Sequence, residues 1–128
     1  MNDISKDETS QLAAKHCVPC EVGTKPFDLE TVQGLLPMVP KWKPDENAKK
    51  IVRSFRFKDF VKAMRFINKI AEIAETEGHH PDLFVSYNYV KIALTTHNIS
   101  GLSENDFIMA AKIDEVFEET ASNEKQLQ

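Results

Sequence analysis

Three of the four histidines in this sequence lie between positions 79 and 97. His79 and His80 are adjacent, between the flexible Gly78 and the rigid Pro81, and His97 follows at the end of the next apolar run. Histidine is the only side chain whose unperturbed pKa, about 6.5, lets it both donate and accept a proton near neutral pH. The cluster therefore suggests proton-transfer chemistry.

Two carboxylates flank the histidine cluster at positions that suit a supporting role. Glu75 lies one turn before the end of a predicted helix, and Asp106 lies in the first turn of another. Either carboxylate could orient an imidazole and stabilise its protonated form. Each also has an ordinary structural interpretation, because Asp106 would cap its helix and Glu75 would face solvent.

A metal site is the alternative use of such a cluster, because imidazole is a common zinc ligand. Adjacent histidines rarely bind one ion as a dedicated pair, and the helical His-Glu-x-x-His spacing is absent from this sequence. A nucleophilic mechanism is less favoured still, since neither cysteine is near the cluster in sequence and no Gly-x-Ser-x-Gly motif occurs. The residues favour acid/base chemistry without a metal, and the zinc alternative stays open at this point.

The two cysteines of the chain, Cys17 and Cys20, form a Cys-x-x-Cys pair. This spacing could supply half of a zinc site or a redox dithiol. Only His16 is nearby as a further ligand, and the flanking residues are typical of loops. A local structural role is therefore favoured over metal binding or redox chemistry, and the pair has no predicted part in a mechanism.

Two helices are predicted on either side of the histidine cluster. Apolar residues recur with a period of 3.6 from Asp59 to about Glu77, and Gly78 stops this helix. Ser103 is expected to cap the last helix, with Asp106 three residues later as its capping-box partner. The remaining predicted elements are a short helix from Asp28 to Pro37 and strands over residues 38–43, 50–57, 83–86 and 89–97.

The resulting order, α-β-β-α-β-β-α, describes an α+β fold in which a four-stranded antiparallel sheet carries the helices on one face. Alternation along the last strand turns Val90, Ile92 and Leu94 toward the helices. The same alternation places His97 on the other face, away from the main core.

Length and composition fit one globular domain. The chain has 128 residues, of which 41% are hydrophobic and 28% are charged. Residues 25–120 are predicted to form the domain. Residues 1–24 lack apolar periodicity and are predicted to form a flexible extension, and residues 121–128 a frayed tail.

Charge and hydropathy disfavour two classes of partner. The net charge of -4 supplies no long-range attraction for a polyanion, so direct nucleic-acid binding is not expected. The first residues are polar and acidic, and no run of about 18 apolar residues occurs, so neither a secretory signal nor a membrane span is expected. The sequence therefore predicts a cytoplasmic protein.

The spacing of the site candidates resembles the signature of the pterin-4a-carbinolamine dehydratase family, also known as the dimerisation cofactor of a homeodomain transcription factor. The resemblance covers about residues 28–118 and includes Trp42 and the segments 55–60, 95–97 and 101–103. The spaced residues that carry it are Glu75, His79, His80, Pro81, Tyr87, His97 and Asp106.

The resemblance implies removal of water from 4a-hydroxytetrahydrobiopterin to give quinonoid dihydropterin, a step that recycles the cofactor of aromatic amino acid hydroxylases. Neither a metal nor a bound organic cofactor is implied, since the pterin is the substrate. His79, His80 and His97 would surround it, with His80 as the acid, His79 as the base and His97 holding the substrate. The order of the first two stays open. The residues implied to bind or orient are Glu75, Pro81, Thr95, Thr96, Asp106 and Trp42, with Asp106 setting the charge of His97.

The resemblance also implies assembly into a homodimer or homotetramer by sheet extension and helix packing. The competing function is that of a non-enzymatic interaction protein, a transcriptional or assembly cofactor, on the same fold. The long N-terminal stretch with its cysteine pair lies outside the resemblance.

Overall fold

The computed structural model describes the backbone of residues 6–126 and the side chains of residues 8–121. The predictions made for residues 1–5 and 127–128 lie outside these bounds. Two short 3-10 turns, Leu36–Met38 and His97–Ile99, interrupt the regular elements. The helices are α1 (Lys6–Ala14), α2 (Leu29–Leu35), α3 (Phe60–Glu77) and α4 (Glu104–Gln126), and the strands are β1 (Lys43–Pro44), β2 (Ile51–Arg56), β3 (Asp82–Ser86) and β4 (Tyr89–Leu94).

The four strands form one antiparallel sheet in the order β1-β2-β4-β3. Phe55 of β2 pairs with Val90 of β4, and Ile51 pairs with Leu94, so these apolar residues share one face and are buried. Burial of one face of an antiparallel sheet by helices is the arrangement that period-2 alternation predicts. The predicted α+β fold with its four-stranded antiparallel sheet is confirmed.

Helix α3 forms because its apolar residues recur at helical spacing and both of its ends are capped. Phe66 and Ile70 are buried, and the Asp59 carboxylate accepts a hydrogen bond from the Lys62 backbone N–H at 2.9 Å. Gly78 ends the helix in the left-handed conformation, with φ of 65°. The predicted helix and its glycine stop are confirmed. The histidine pair follows directly after Gly78.

Two strand predictions were wrong at their boundaries. The strand expected over residues 38–43 is replaced by the 3-10 turn Leu36–Met38, and β1 contains only Lys43 and Pro44. Prolines at positions 37 and 40 have no backbone N–H to donate to a sheet, which explains the loss. Strand β4 ends at Leu94 rather than at position 97, and His97 instead begins the second 3-10 turn.

The N-terminal segment differs from the flexible extension that was predicted. Residues Lys6–Ala14 form α1, and Leu12 and Ala13 are buried in the core. The Lys112 ammonium of α4 donates a hydrogen bond to the Ala13 carbonyl at 2.6 Å. Helix α1 has no clear signal in the sequence, because its mean hydropathy is low and only a few of its residues face the core. Helix α4 likewise runs to Gln126, beyond the predicted fraying point near position 120.

Within residues 6–126, none of the helices combines the length and the hydropathy that a bilayer span requires.

Candidate active site

A cavity of about 320 Å³ opens where α3 ends and α4 begins. His79 and His80 line one part of it, and the loop that follows β4 supplies Thr95, Thr96 and His97. The structure therefore brings together the three histidines and the two threonines predicted from the sequence. Residues 17–20 also line this cavity.

The end of α3 fixes the direction in which His79 leaves the helix. Gly78 adopts a positive φ, which a residue with a side chain rarely does. The backbone N–H of His79 then donates to the Ala74 carbonyl at 3.2 Å, the six-to-one bond of a Schellman ending. Pro81 follows His80 and leads directly into β3, so the histidine pair is held between a helix cap and a strand.

His79 is paired with the buried carboxylate of Asp106. The His79 Nε2 atom lies 2.6 Å from Asp106 Oδ1, and the two side chains are 11% and 0% exposed. An ionised carboxylate can only accept hydrogen bonds, so His79 Nε2 carries the proton in this pair. The remaining ring nitrogen, Nδ1, is then the atom left to exchange a proton with a ligand.

The second oxygen of Asp106 is held by the start of α4 and by the loop after β4. Oδ2 accepts a hydrogen bond from the Ser103 backbone N–H at 3.0 Å and from the Thr96 hydroxyl at 2.8 Å. The bond to Ser103 is half of the capping box expected from the sequence. Because the Thr96 hydroxyl donates its hydrogen bond to Asp106, the Ser103 hydroxyl must donate to Thr96 Oγ1, 2.8 Å away. Asp106 therefore has no freedom to turn away from His79.

His80 pairs with Glu75, the carboxylate one turn before the end of α3. The His80 Nε2 atom is hydrogen-bonded to Glu75 Oε2. Unlike the first pair, this one lies in solvent, with side chains 61% and 77% exposed. The two adjacent histidines thus have different environments, one buried and one open to water.

His97 is placed by a closed loop between β4 and α4. Thr96 and Gly101 form an isolated antiparallel bridge, in which the Thr96 N–H donates to the Gly101 carbonyl at 2.8 Å. Between them the chain makes one 3-10 turn, which ends at Ser100 in the left-handed conformation. A side chain at position 101 would clash with Pro26, because a Cβ there would lie 2.6 Å from the proline Cβ. His97 itself is exposed at the mouth of the cavity.

Two expectations about individual residues need correction. Asp106 was expected to set the charge of His97, whereas the structure pairs it with His79. Trp42 was expected in the pocket wall, but it is buried in the core, where its indole N–H donates to Asp114 at 2.8 Å. The sequence could not distinguish the two histidines as partners, since the choice depends on how α4 packs against the end of α3.

Three polar residues beside the cavity were not predicted from the sequence. Asn105 and Glu77 are buried and hydrogen-bond to the backbone of residues 17 and 18, and Asn98 bonds to that of residue 20. These contacts join residues more than 50 positions apart, so periodicity and local spacing do not show them. The Cys-x-x-Cys pair was the signal that marked this segment.

Burial, hydrogen bonding and charge shift the pKa values of two groups on this side of the cavity. Burial, reinforced by the Glu77 carboxylate, raises the pKa of the Cys17 thiol to about 12. The pKa of Glu77 is lowered, chiefly by the hydrogen bond from the Cys17 backbone N–H and also by His16 and Lys112. At neutral pH, Cys17 is therefore a neutral thiol and Glu77 an ionised carboxylate.

The described residues contain no group of three or more His, Cys, Asp or Glu side chains arranged to hold a metal ion. Around the cavity, the Nε2 atoms of His79 and His80 are instead occupied by two different carboxylates.

A small α+β domain with carboxylate-paired imidazoles around one cavity matches a known family. The sequence model described as pterin 4 alpha carbinolamine dehydratase matches residues 25–116 of this chain. The chain belongs to the pterin 4 alpha carbinolamine dehydratase family, as its residue pattern indicated.

The chain aligns with nearly the whole length of two similar proteins. A protein from Halorhodospira halophila is 46% identical over 103 residues, covering 80% of this chain and 94% of the relative. One from Methylococcus capsulatus is 45% identical over 109 residues, covering 85% and 96%. Both carry the name "Putative pterin-4-alpha-carbinolamine dehydratase".

Two solved structures share the fold. A crystal structure from Brucella melitensis, titled as a transcriptional coactivator/pterin dehydratase, has a TM-score of 0.69 and 34% identity, covering 72% of this chain and 98% of its own. A pterin dehydratase-like protein described as a RuBisCO assembly factor has a TM-score of 0.52 and 22% identity, covering 59% of this chain and 88% of its own. The second likeness concerns the fold alone.

Proposed function

We propose that this protein removes water from 4a-hydroxytetrahydrobiopterin by metal-free acid/base catalysis at the histidine cavity. The observation that carries the proposal is the pairing of each adjacent histidine with its own carboxylate at the edge of one cavity that His97 also lines. Such pairs fix the tautomer of an imidazole and leave its second nitrogen for proton transfer.

The reaction needs one proton donor and one proton acceptor. The acid gives its proton to the 4a-hydroxyl, whose bond to carbon breaks as water leaves. The base takes a proton from a ring nitrogen, so that a carbon-nitrogen double bond forms and quinonoid dihydropterin results. Protons balance over the cycle, because the base must lose and the acid must regain one proton before the next turnover. Positioned groups of this kind each contribute typically about 10²- to 10⁴-fold.

His79 is the base in this proposal and His80 the acid. The buried Asp106 keeps a proton on His79 Nε2, which leaves the Nδ1 lone pair as the acceptor, and its negative charge stabilises the imidazolium that forms. His80 is open to solvent, so water can reprotonate it after each turnover. His97, at the cavity mouth, holds the substrate.

The test is an assay that follows the breakdown of chemically generated 4a-hydroxytetrahydrobiopterin. We expect the wild-type protein to accelerate it, and His79→Ala and His80→Ala each to lower kcat by at least about tenfold. Glu72→Gln, which alters an exposed carboxylate of the same helix one turn before Glu75, is the matched control and should retain wild-type rates. Unchanged rates in both histidine variants would contradict the mechanism. A folded but inactive wild-type protein would favour the non-enzymatic interaction function.

We further propose that the product feeds the recycling of the pterin cofactor of an aromatic amino acid hydroxylase, and that the chain forms homo-oligomers. Support for the second point comes from β3, an edge strand of the sheet whose Leu83 and Phe84 are exposed. An edge strand with exposed apolar side chains is a template for pairing with a second chain.

A further inference from the structure

The segment from His16 to Cys20, which we call the N-terminal strap, forms a wall of the histidine cavity. Its residues 17–20 line the cavity together with the three histidines. The strap precedes residues 25–116, the part of the chain that matches the family model. The acid/base mechanism assigns it no task, so its presence at the reacting centre requires an explanation.

Asn105 holds the middle of the strap by two hydrogen bonds. Its Oδ1 accepts from the Val18 N–H at 3.0 Å, and its Nδ2 donates to the Val18 carbonyl at 2.6 Å. The amide thereby satisfies both backbone groups of one residue, as a neighbouring strand would. Asn105 is buried in the first turn of α4, directly before the carboxylate that supports His79.

Two further anchors hold the ends of the strap. Glu77 Oε1 accepts from the Cys17 N–H at 2.7 Å, and Asn98 Nδ2 donates to the Cys20 carbonyl at 3.4 Å. Each of the three anchors is a close sequence neighbour of a site residue: Glu77 lies two residues before His79, and Asn98 follows His97. The strap is therefore tied to the same backbone segments that position the imidazoles.

The chemistry of the strap suits binding rather than proton transfer. Cys17, Val18 and Pro19 have uncharged side chains and line the cavity, next to imidazoles that carry the acid and base functions in the proposed mechanism. A neutral, weakly polar surface of this kind fits the flat face of a heteroaromatic ring. Cys17 stays a thiol at neutral pH, so it adds no charge beside the histidines.

We propose that the strap is a substrate-binding wall of the dehydratase site and that Asn105 is the positioning residue that sets it. This inference rests on the proposed function for its substrate class, a reduced pterin. Releasing the strap should weaken pterin binding, while His79, His80 and their carboxylates, which are hydrogen-bonded to each other and not to the strap, keep their geometry.

The test is Asn105→Ala, a substitution compatible with the helix that removes both bonds to Val18. We expect KM for 4a-hydroxytetrahydrobiopterin to rise at least about fivefold, since both bonds to Val18 and the longer bond to Cys20 Sγ at 3.7 Å are lost, with kcat within about twofold of wild type. The Kd of 7,8-dihydrobiopterin, a reduced pterin without the 4a-hydroxyl, should rise by a similar factor in calorimetry. The matched control is Glu104→Ala, which removes only the exposed ion pair to Lys15 and should change none of these values.

Unchanged KM and Kd in a folded Asn105→Ala protein would overturn the proposal. A fall in both kcat and melting temperature with KM unchanged would also overturn it, because it would indicate a purely structural role for Asn105. If that variant does not fold, the double variant Cys17→Ala/Cys20→Ala leaves the backbone anchors in place and should raise the same Kd by at least about twofold; an unchanged Kd would overturn the proposal. The dihydrobiopterin measurement needs no turnover, so an inactive wild-type protein would refute the dehydratase function without deciding the role of the strap.

Discussion

Asp106 is a single buried carboxylate that serves the fold and the site at once. One oxygen accepts hydrogen bonds from the Ser103 backbone and the Thr96 hydroxyl, and the other faces His79 Nε2. A buried charge is tolerated only when it is fully hydrogen-bonded, and here both oxygens are engaged. The capping interaction thus makes the orientation of the His79 imidazole depend on how α4 begins.

Asp106→Asn should separate the role of Asp106 in capping α4 from its role in orienting His79. The asparagine oxygen can still accept from Ser103 and Thr96, which turns the amide NH₂ toward His79 and forces its Nε2 to become an acceptor. His79 would then hold its proton on Nδ1, the wrong tautomer for a base. We expect kcat to fall at least about tenfold with a small change in KM, measured in the dehydratase assay.

Glu75→Gln is the companion to Asp106→Asn at the other histidine. Because Glu75 and His80 are both open to water, which can replace the lost contact, we expect a smaller fall in kcat. A larger effect at Glu75 than at Asp106 would contradict the assignment of the buried pair to the base. Circular dichroism of each variant checks that the fold is intact.

At the scale of elements, Glu77 connects α3, α4 and the strap. Its carboxylate accepts from the Cys17 N–H at 2.7 Å, lies 2.8 Å from His16 Nδ1 and 3.9 Å from Lys112 Nζ. The helix dipole destabilises a negative charge at the C-terminal end of a helix. The favourable interactions of Glu77 with these three partners must therefore exceed that cost. Glu77 therefore links the last turn of α3 to the N-terminal strap.

The lowered pKa of Glu77 predicts a pH dependence of stability. Because its folded pKa lies below the ordinary value of about 4.3, the contribution is present above that pH and is lost as the pH falls through the folded pKa. Glu77→Gln should lower the free energy of unfolding at pH 7 by about 1–2 kcal/mol, as expected for loss of charge-assisted hydrogen bonds. The difference from wild type, measured by urea unfolding, should shrink as the pH falls below about 5; a difference that grows toward acid would contradict this role.

Elements with local signals were predictable from the sequence. Gly78 ends α3, as its type and position predicted, and the helices predicted to start at Asp28 and Asp59 are capped by these residues. The Glu75 and His80 pair was also within reach, since five positions separate its members across a helix end. These features depend on a few neighbouring residues, so the sequence alone indicates them.

Features that depend on packing were not predictable in the same way. The partner of Asp106 depends on where α4 meets α3. The strap contacts join residues that are 60, 61 and 87 positions apart. Helix α1 is stabilised by contact with α4 rather than by its own apolar pattern, which is weak. Tertiary contacts decide such elements, and a single sequence does not encode them as a period or a spacing.

At the scale of the whole molecule, the outer face of the sheet carries a large exposed apolar side chain. Phe84 lies on β3 with its side chain 58% exposed and in edge contact with Tyr89. Register places it opposite Lys91, on the face that the helices leave open. With β1 at the other edge containing two residues, β3 is the longer edge strand of the sheet and the better surface for a second chain.

Phe84→Glu should therefore break the oligomer that we propose. A charge on this face must be desolvated if β3 pairs with another chain, whereas in an isolated chain it remains in water. In light scattering coupled to size exclusion, wild type should give a dimer or tetramer of the 14.6 kDa chain, and Phe84→Glu the mass of one chain. Leu29→Glu, a like change at an exposed apolar position of α2, should leave the wild-type mass unchanged. A monomeric wild-type protein, or equal dissociation by both variants, would show that β3 is not the interface.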